Sequence, residues 1–333
     1  MLKIIEDEAA VKKCRRQFIK SLKPLIDDKI QVQLGHPGGA FMAKVFWSNR
    51  LGIWIFHQKV SQTRCGHAFG VGKPTVTSTV PITCEINFPA RGVDRRMGGA
   101  LAKDRDGRIF VVHRGKIGGG KKGVGKSLFD KYYRGAWAVM EDGFEETPVA
   151  LVGALHSPRF ARQVAQFVRK VERIKDVISY RSPQMEITFD ELRFREELTG
   201  TGYDGTAEPS DSDCDRGLIV SDLYDTLTRK GYRSGNDSVR DLFVVNSKRK
   251  IAAVFQVIAD YSPASLYPGI SKLLLNSVDL PDKPCLILIV PEGLEPSLTE
   301  KLKKLGIDIL EYKWQDDQAV FPGIARYFPF FLT

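Results

Sequence analysis

The pattern of apolar residues changes near residue 215, and this change constrains the fold more than any other feature of the sequence. Before it, short runs rich in β-branched and aromatic residues are separated by Gly, Pro and Asn, which is typical of strands joined by turns. After it, strand-length and helix-length segments alternate, which favours a three-layer α/β unit around a mixed central sheet. We therefore predict a two-domain chain that combines α+β and α/β architecture: a β-rich domain over residues 1–180, a linker over 181–214, and an α/β domain over 215–333.

Charge is distributed unevenly between these two parts. Residues 1–180 carry 32 Lys and Arg against 16 Asp and Glu, whereas residues 181–333 carry 18 against 24. The first part is therefore strongly basic and the second is mildly acidic. A domain this basic is typical of proteins that bind a polyanion, because neutralising phosphates releases condensed counterions. We predict double-stranded DNA as the partner, and RNA is left open as an alternative.

The start of the chain and its cysteines bear on where the protein works. The opening MLKIIEDEAAVKKCRRQF reads as a charged amphipathic helix without the apolar core of a signal peptide. No apolar run reaches the roughly 18 residues that span a bilayer. The five cysteines lie far apart with no C-x-x-C spacing, as expected of free thiols. We expect a cytoplasmic protein with no membrane partner.

The segment HRGKIGGGKKGVGKSLFDKYY contains the phosphate-binding spacing G-x-x-x-x-G-K-[ST] from Gly120 to Ser127. In a nucleotide-binding P-loop, a buried strand leads directly to the first glycine, and a later strand supplies an Asp for Mg²⁺. Here the strand-like IFVV stops before His113, and no strand ending in Asp follows within the first domain. The glycines and lysines can equally hold the phosphates of a nucleic-acid backbone. A nucleotide hydrolase that uses this loop is an alternative.

Basic residues in the glycine-rich loops of the first domain are the candidate DNA contacts. Arginine suits bidentate contacts to guanine or phosphate, whereas lysine supplies charge without a fixed direction. The predicted DNA-binding set is Arg64, Arg91, Arg95, Arg96, Arg114, Lys116, Lys121, Lys122, Lys126 and Ser127. For any one of them, the alternative is a solvated surface position without a ligand.

In the second domain, SVRDLFVVNSKRKIAAVFQVIADYSPASLYPGISKLLLNS resembles the core of the PD-(D/E)XK nuclease family, to which many restriction endonucleases belong. The order of elements from Arg216 to Tyr312 carries the resemblance as well as the motif. The resemblance implies a restriction-endonuclease-like α/β C-terminal domain with a central mixed sheet. In that family an Asp and a following Glu or Asp bind Mg²⁺, and a Lys two residues later helps to position the attacking water.

The resemblance assigns the catalytic positions with two departures. Asp241 matches the first Asp and is expected to ligate Mg²⁺, whereas Gln256 stands at the second acidic position. Ile258 stands at the position of the lysine, and an apolar side chain cannot hydrogen-bond water or offset phosphate charge. We predict that Lys272 replaces that lysine from the following helix. Further nearby carboxylates are Asp222, Asp225 and Asp260.

These features predict a DNA-binding protein of restriction or defence type, a Mg²⁺-dependent endonuclease that hydrolyses phosphodiester bonds with an atypical active site. The alternative is a non-catalytic reader of DNA sequence or of modified bases, which keeps the nuclease fold for assembly. A homodimer is left open, because cutting both strands of a duplex often calls for two catalytic domains.

Overall fold

The computed structural model describes residues 1–36, 38–59, 64–89, 92–118, 124–143, 145–179, 194–200 and 210–331. The chain divides into two compact units: an N-terminal unit, Met1–Ser182 with Thr201–Cys214, and a C-terminal unit, Pro183–Gly200 with Asp215–Thr333. The predicted mixture of α and β structure is confirmed. Most of the predicted linker over 181–214 lies outside the described residues. No helix in the described part of the chain has both the length and the apolar character needed to cross a bilayer.

The strands of the N-terminal unit form a closed barrel and a second sheet. In chain order they are β1 (Leu2–Ile4), β2 (Asp28–His36), β3 (Gly39–Ser48), β4 (Ile53–Lys59), β5 (Arg64–Val71), β6 (Thr79–Pro81), β7 (Cys84–Glu85), β8 (Phe88–Pro89), β9 (Gly99–Lys103), β10 (Ile109–His113), β11 (Trp137–Asp142) and β12 (Glu145–Ala154). The barrel has the order β1-β11-β12-β10-β9. It closes through β1, which pairs parallel to β11 and antiparallel to β9.

Small residues allow so narrow a barrel to close. Ala100, Ala102 and Ala138 are buried beside Phe110 and Met140 in one core cluster. Because a small barrel is filled by side chains alone, small residues must alternate with large ones at its inward positions. The barrel therefore has a packed interior.

The second sheet of the N-terminal unit has the order β6-β2-β3-β4-β5-β7, and β8 also pairs with β5. Strands β2 and β3 form an antiparallel hairpin paired over the whole length of β2. Along β2, buried Ile30, Val32 and Leu34 alternate with more exposed residues. This period of two is typical of a strand with one face on a core and one face in solvent.

Three helices accompany these sheets: α1 (Glu8–Leu22), α2 (Lys126–Tyr132) and α3 (Phe160–Ser179), with a short 3-10 helix at Lys23–Leu25. The prediction of a helix from the first residue is corrected, because the chain opens with β1. Leu2 and Ile4 are buried at a spacing of two, and the Asp7 carboxylate caps α1 by accepting the Ala10 N–H at 2.7 Å.

The C-terminal unit has one mixed sheet with helices between its strands. In chain order, after a 3-10 helix at Glu196–Leu198, the elements are α4 (Asp211–Arg229), β13 (Arg233–Gly235), β14 (Leu242–Val245), β15 (Ile251–Val257), α5 (Pro263–Leu275), β16 (Cys285–Pro291), α6 (Pro296–Lys304), β17 (Ile307–Gln315), β18 (Gln318–Val320) and a 3-10 helix at Ile324–Phe331. The sheet order follows the chain from β13 to β18. Pairing is parallel in β15-β16-β17 and antiparallel elsewhere.

A separate cluster of buried apolar residues lies on each face of this sheet. Phe255 and Val257 join residues of α4 and of the last 3-10 helix in one cluster. Val254 and Ile258 join residues of α5 and α6 in another. Helices on both sides of the sheet give the three layers that the alternation of apolar segments predicts.

Candidate functional site

Asp241 and Gln256 lie side by side where β14 begins and β15 ends. The pairing of Leu242 with Phe255 places the two residues opposite each other. The Gln256 Nε2 donates to Asp241 Oδ2 at 2.7 Å, and the Val257 N–H donates to the same oxygen at 2.8 Å. The order of the strands thus brings together two of the predicted catalytic residues.

An arginine from α4 completes this group, which we name the Asp241 cluster: Arg216, Asp241 and Gln256. One guanidinium nitrogen of Arg216 donates to both oxygens of Asp241, at 3.0 and 2.9 Å. The side chains of the pair are only 14% and 8% exposed. In so shielded a place, a carboxylate is stable because a cation and several N–H donors compensate its charge.

The Asp241 cluster does not fit a divalent metal ion. Asp241 Oδ2 accepts hydrogen bonds from Arg216, Gln256 and Val257, and Oδ1 accepts one from Arg216. Three of these four bonds end on Oδ2, which they saturate, whereas Oδ1 accepts one bond and keeps a second lone pair. The Gln256 amide turns its NH₂ toward Asp241, whereas Mg²⁺ prefers oxygen ligands in octahedral geometry. The described residues contain no group of three or more His, Cys, Asp or Glu that could hold a metal ion.

Position 258, where the resemblance to nucleases would expect a lysine, lies in the contact between the end of β15 and α5. Ile258 is 3% exposed, and a Cβ added at Gly269 would lie 2.5 Å from its Cγ2. A charged side chain at position 258 would therefore be forced into an apolar contact. Lys272 is exposed on α5, and its catalytic role stays a prediction.

Two of the further carboxylates have structural partners. Asp222 on α4 is buried and accepts the Ala319 N–H at 2.8 Å, which connects α4 to β18. Asp260 accepts the Ser262 N–H at 2.8 Å in the turn that precedes α5. Both carboxylates therefore stabilise turns and helix contacts of the C-terminal unit.

The glycine-rich segment of the N-terminal unit is described only on either side of residues 119–123, so Gly120 lies outside the described residues. Strand β10 ends at His113, and Ile117 pairs with Val124 in an isolated antiparallel bridge, with a Val124 N–H to Ile117 O distance of 3.0 Å. The buried Lys175 Nζ donates to the Gly118 carbonyl at 2.8 Å. The expectation that no strand ending in Asp follows in the first domain is wrong, because β11 ends at Asp142, whose carboxylate pairs with Arg114 at 2.7 Å. The nucleotide-hydrolase alternative stays a prediction.

Asp142 joins two of the basic segments that the sequence singles out. Arg114 is buried and donates to Asp142 Oδ2 at 2.7 Å. From the other segment, Arg95 donates to the Asp142 carbonyl at 2.6 Å and places its Nε 3.4 Å from Oδ1. The Lys116 Nζ donates to the Arg95 carbonyl at 3.3 Å. We name Arg95, Arg96, Arg114, Lys116 and Asp142 the Asp142 cluster.

The predicted DNA contacts divide by where they lie. The guanidinium of Arg114 is used inside the fold, whereas Arg96 is 93% exposed and Lys116 is also exposed. Lys126 and Ser127 begin α2, behind the N-cap Gly125. Other predicted contacts are outside the described residues, namely Arg91, Lys121, Lys122 and the side chain of Arg64.

Sequence analysis missed Arg216 and Asp142, which organise the two clusters. Arg216 and Arg229 are the basic residues of α4, and Arg216 follows three aspartates in its first turns. A basic residue among aspartates at the start of a helix is a signal that could have identified Arg216, because the helix dipole makes cations less favourable there. Asp142 ends a strand-like run in a basic domain, and no local feature of the sequence marks it as an ion-pair partner.

Two histidines of the N-terminal unit are buried in neutral form. Burial, together with the nearby charges of His57 and Arg15, lowers the pKa of His67 to about 3. Burial also lowers the pKa of His113 to about 4, against the raising effect of its hydrogen bond with the Glu85 carbonyl. Among the described residues, neither ring nitrogen of His67 has a hydrogen-bond partner. Both imidazoles therefore resist protonation at neutral pH.

No family model, curated protein or solved structure matches this chain.

Proposed function

We propose that this chain is a DNA-binding protein of restriction or defence type, in which the N-terminal unit holds double-stranded DNA and the C-terminal unit does not cut it. The observation that carries the first half is the Asp142 cluster. A buried carboxylate holds two basic segments together, and these segments expose Arg96, which pairs with Asp94 at 3.4 Å, and Lys116.

The charge balance of the Asp142 cluster favours an anionic ligand. Asp142 is buried and pairs closely with Arg114, which is equally buried, so this pair is internally neutral. Arg95 is half-exposed and also pairs with Glu145 at 3.7 Å, and its backbone carbonyl accepts a hydrogen bond from the exposed Lys116 ammonium. With Glu145 and with Asp94, which pairs with Arg96, the cluster has four cations against three carboxylates, and this net positive charge attracts the phosphates of a DNA backbone.

The second half of the proposal rests on the Asp241 cluster. Its carboxylate is hydrogen-bonded by an arginine, an amide and a backbone N–H. Arg216 already compensates the charge of Asp241, so a metal ion would first have to displace this buried ion pair. The resemblance to nucleases then reflects the order of elements, and the C-terminal unit serves as a scaffold or partner-binding unit.

Salt-dependent binding tests this proposal. We expect the full-length chain to bind a mixed-sequence duplex with an affinity that falls steeply as salt rises. Arg96→Ala/Lys116→Ala should weaken binding and reduce the slope of log affinity against log salt by about 2, because each lost phosphate contact contributes about 1. Fluorescence anisotropy across a salt series measures both quantities.

Lys230→Ala is the matched control, because Lys230 is an exposed lysine of the C-terminal unit. This variant should bind DNA with the wild-type slope. If Arg96→Ala/Lys116→Ala also keeps the wild-type slope, the Asp142 cluster does not contact phosphates. If the wild-type chain binds no duplex at any salt concentration, the proposal fails as a whole.

A further inference from the structure

One face of the β2-β3 hairpin is largely exposed beyond Phe46, which packs against a core cluster of the N-terminal unit. Along β2, Lys29, Gln31 and Gln33 are exposed between buried residues, and Met42 and Lys44 are exposed in the same way on β3. The register places Gln31 opposite Lys44 and Gln33 opposite Met42, so the five side chains project from one surface. We name this set the ribbon face.

The polar groups of the ribbon-face side chains are available to a ligand. Within the described part of the chain, the side chains of Gln31 and Lys44 make no hydrogen bond or ion pair. Gln33 Oε1 accepts one hydrogen bond, from the Thr79 hydroxyl at 3.1 Å, and keeps a second lone pair. The Lys29 ammonium lies 5.7 Å from the centroid of the Phe46 ring, which orients it across the surface.

The charge of the surrounding sequence distinguishes the ribbon face from an ordinary solvent-exposed sheet surface. No Asp or Glu occurs between Asp28 and Glu85, a stretch that covers β2 to β6. Ordinary protein surfaces intersperse both signs of charge. The β11-β12 hairpin of the same unit follows that norm, with Glu145 and Glu146 exposed. In the acid-free stretch the charged residues are Lys29, Lys44, Arg50, Lys59, Arg64 and Lys73.

We infer that the ribbon face enters the major groove of DNA and reads base edges there. This inference rests on the proposed DNA-binding function and specifies how the sequence of the DNA is recognised. The major groove is about 12 Å wide and admits a β-ribbon, whose strands lie about 4.8 Å apart. Gln31 and Lys44 lie where β2 and β3 pair only with each other, whereas β6 adds a third strand beside Gln33 and β4 pairs with β3 from Phe46 onward. Glutamine offers a donor and an acceptor together, which matches the N7 and N6 atoms of adenine.

The other members of the ribbon face suit the same groove. Lys44, beside Gln31, can donate to guanine or to a flanking phosphate, and Met42, beside Gln33, offers an apolar contact to a thymine methyl group. Double-stranded RNA is not expected to compete, because the major groove of A-form duplexes is too narrow for side chains to read. Duplex DNA is therefore the partner that this surface fits.

Selection from a random duplex library tests the inference. The wild-type chain should enrich a sequence motif that contains adenine, measured by sequencing the bound fraction. Gln31→Ala/Gln33→Ala should lose roughly tenfold in preference for that motif over scrambled DNA, with an unchanged salt slope, because a bidentate base contact is lost and no phosphate contact is. Gln318→Ala, an exposed glutamine of the C-terminal unit, is the matched control and should keep the wild-type preference.

A chemical change in the DNA locates the contact in the groove. Replacing adenine in the selected motif by 7-deazaadenine removes the N7 acceptor and leaves Watson–Crick pairing intact. This replacement should weaken wild-type binding several-fold and should leave Gln31→Ala/Gln33→Ala unaffected. Circular dichroism confirms that the variants are folded, as expected for exposed positions.

The outcomes separate this inference from the proposed function. If the wild-type chain binds DNA without enriching any motif, or if Gln31→Ala/Gln33→Ala keeps the full preference, the ribbon face does not read bases although DNA binding stands. Equal competition by double-stranded RNA would also overturn the inference. Failure of the wild-type chain to bind any duplex would instead remove the proposed function itself.

Discussion

The Asp241 carboxylate shows why a match to a motif residue does not determine the chemistry of that residue. Its two oxygens accept hydrogen bonds from Arg216, Gln256 and the Val257 N–H. Sequence comparison with a motif registers only the identity of Asp241. The partners that determine its chemistry come from α4 and β15, far away along the chain.

Arg216→Met is predicted to destabilise the C-terminal unit by about 3 kcal/mol, because it leaves the buried Asp241 carboxylate without its cation. Urea denaturation at pH 7 measures this loss. The double variant Arg216→Met/Asp241→Leu should recover most of it, because both charges are then gone and the volume stays filled. Equal destabilisation in the single and double variants would show that Arg216 does not compensate the charge of Asp241.

The N-terminal unit is predicted to lose stability between pH 7 and pH 5. An unfolded histidine titrates near 6.5, whereas folded His67 and His113 have pKa values of about 3 and 4. Between these values the unfolded chain binds more protons, so stability falls as the pH falls. The loss at pH 5 is about 2 kcal/mol for each histidine, measurable by urea denaturation at the two pH values.

His67→Phe is the variant that isolates this effect. The His67 ring lies 5.1 Å from that of Phe18 and 5.6 Å from that of Phe88, so a phenyl ring suits its surroundings. The variant should keep its stability at pH 7 and lose about half of the pH dependence between 7 and 5. An unchanged pH dependence would contradict the assignment of His67 as a buried neutral group.

The close contact between α5 and the end of β15 depends on Gly269. Gly269→Ala is predicted to destabilise the C-terminal unit by about 1–2 kcal/mol, because the new methyl group overlaps Ile258 and outweighs the better helix propensity of alanine. In an Ile258→Ala background the same change should be stabilising, because the overlap is gone. Thermal or urea denaturation of the four proteins measures the coupling, and simple additivity would contradict the close contact.

Sequence patterns predict single helices and strands better than they predict how strands close into a barrel or which charged residues form ion pairs. The apolar runs of β14, β15 and β16 and the helix α5 lie where their periodicity predicts. By contrast, β1 is three residues long, and its parallel partner β11 begins at Trp137, so no local pattern announces the barrel. The ion pair of Arg216 with Asp241 joins α4 to the start of β14, and hydropathy carries no information about such pairs.

The two parts of the sequence differ in net charge. The sequence up to residue 180 has twice as many bases as acids, and the sequence after it has an excess of acids. Counted over the two units, the N-terminal unit has 33 Lys and Arg against 20 Asp and Glu, and the C-terminal unit has 17 against 20. Only the N-terminal unit is therefore strongly basic, and this difference supports the proposal that it is the unit that binds DNA.

Incubation of the full-length chain with duplex DNA, with and without Mg²⁺, tests this account most directly when binding and strand integrity are followed in one sample. We predict salt-sensitive binding and intact DNA under both conditions, with Asp241→Ala leaving the affinity unchanged wherever the variant stays folded. Discrete Mg²⁺-dependent fragments that disappear with Asp241→Ala would contradict the account and would make the C-terminal unit a nuclease.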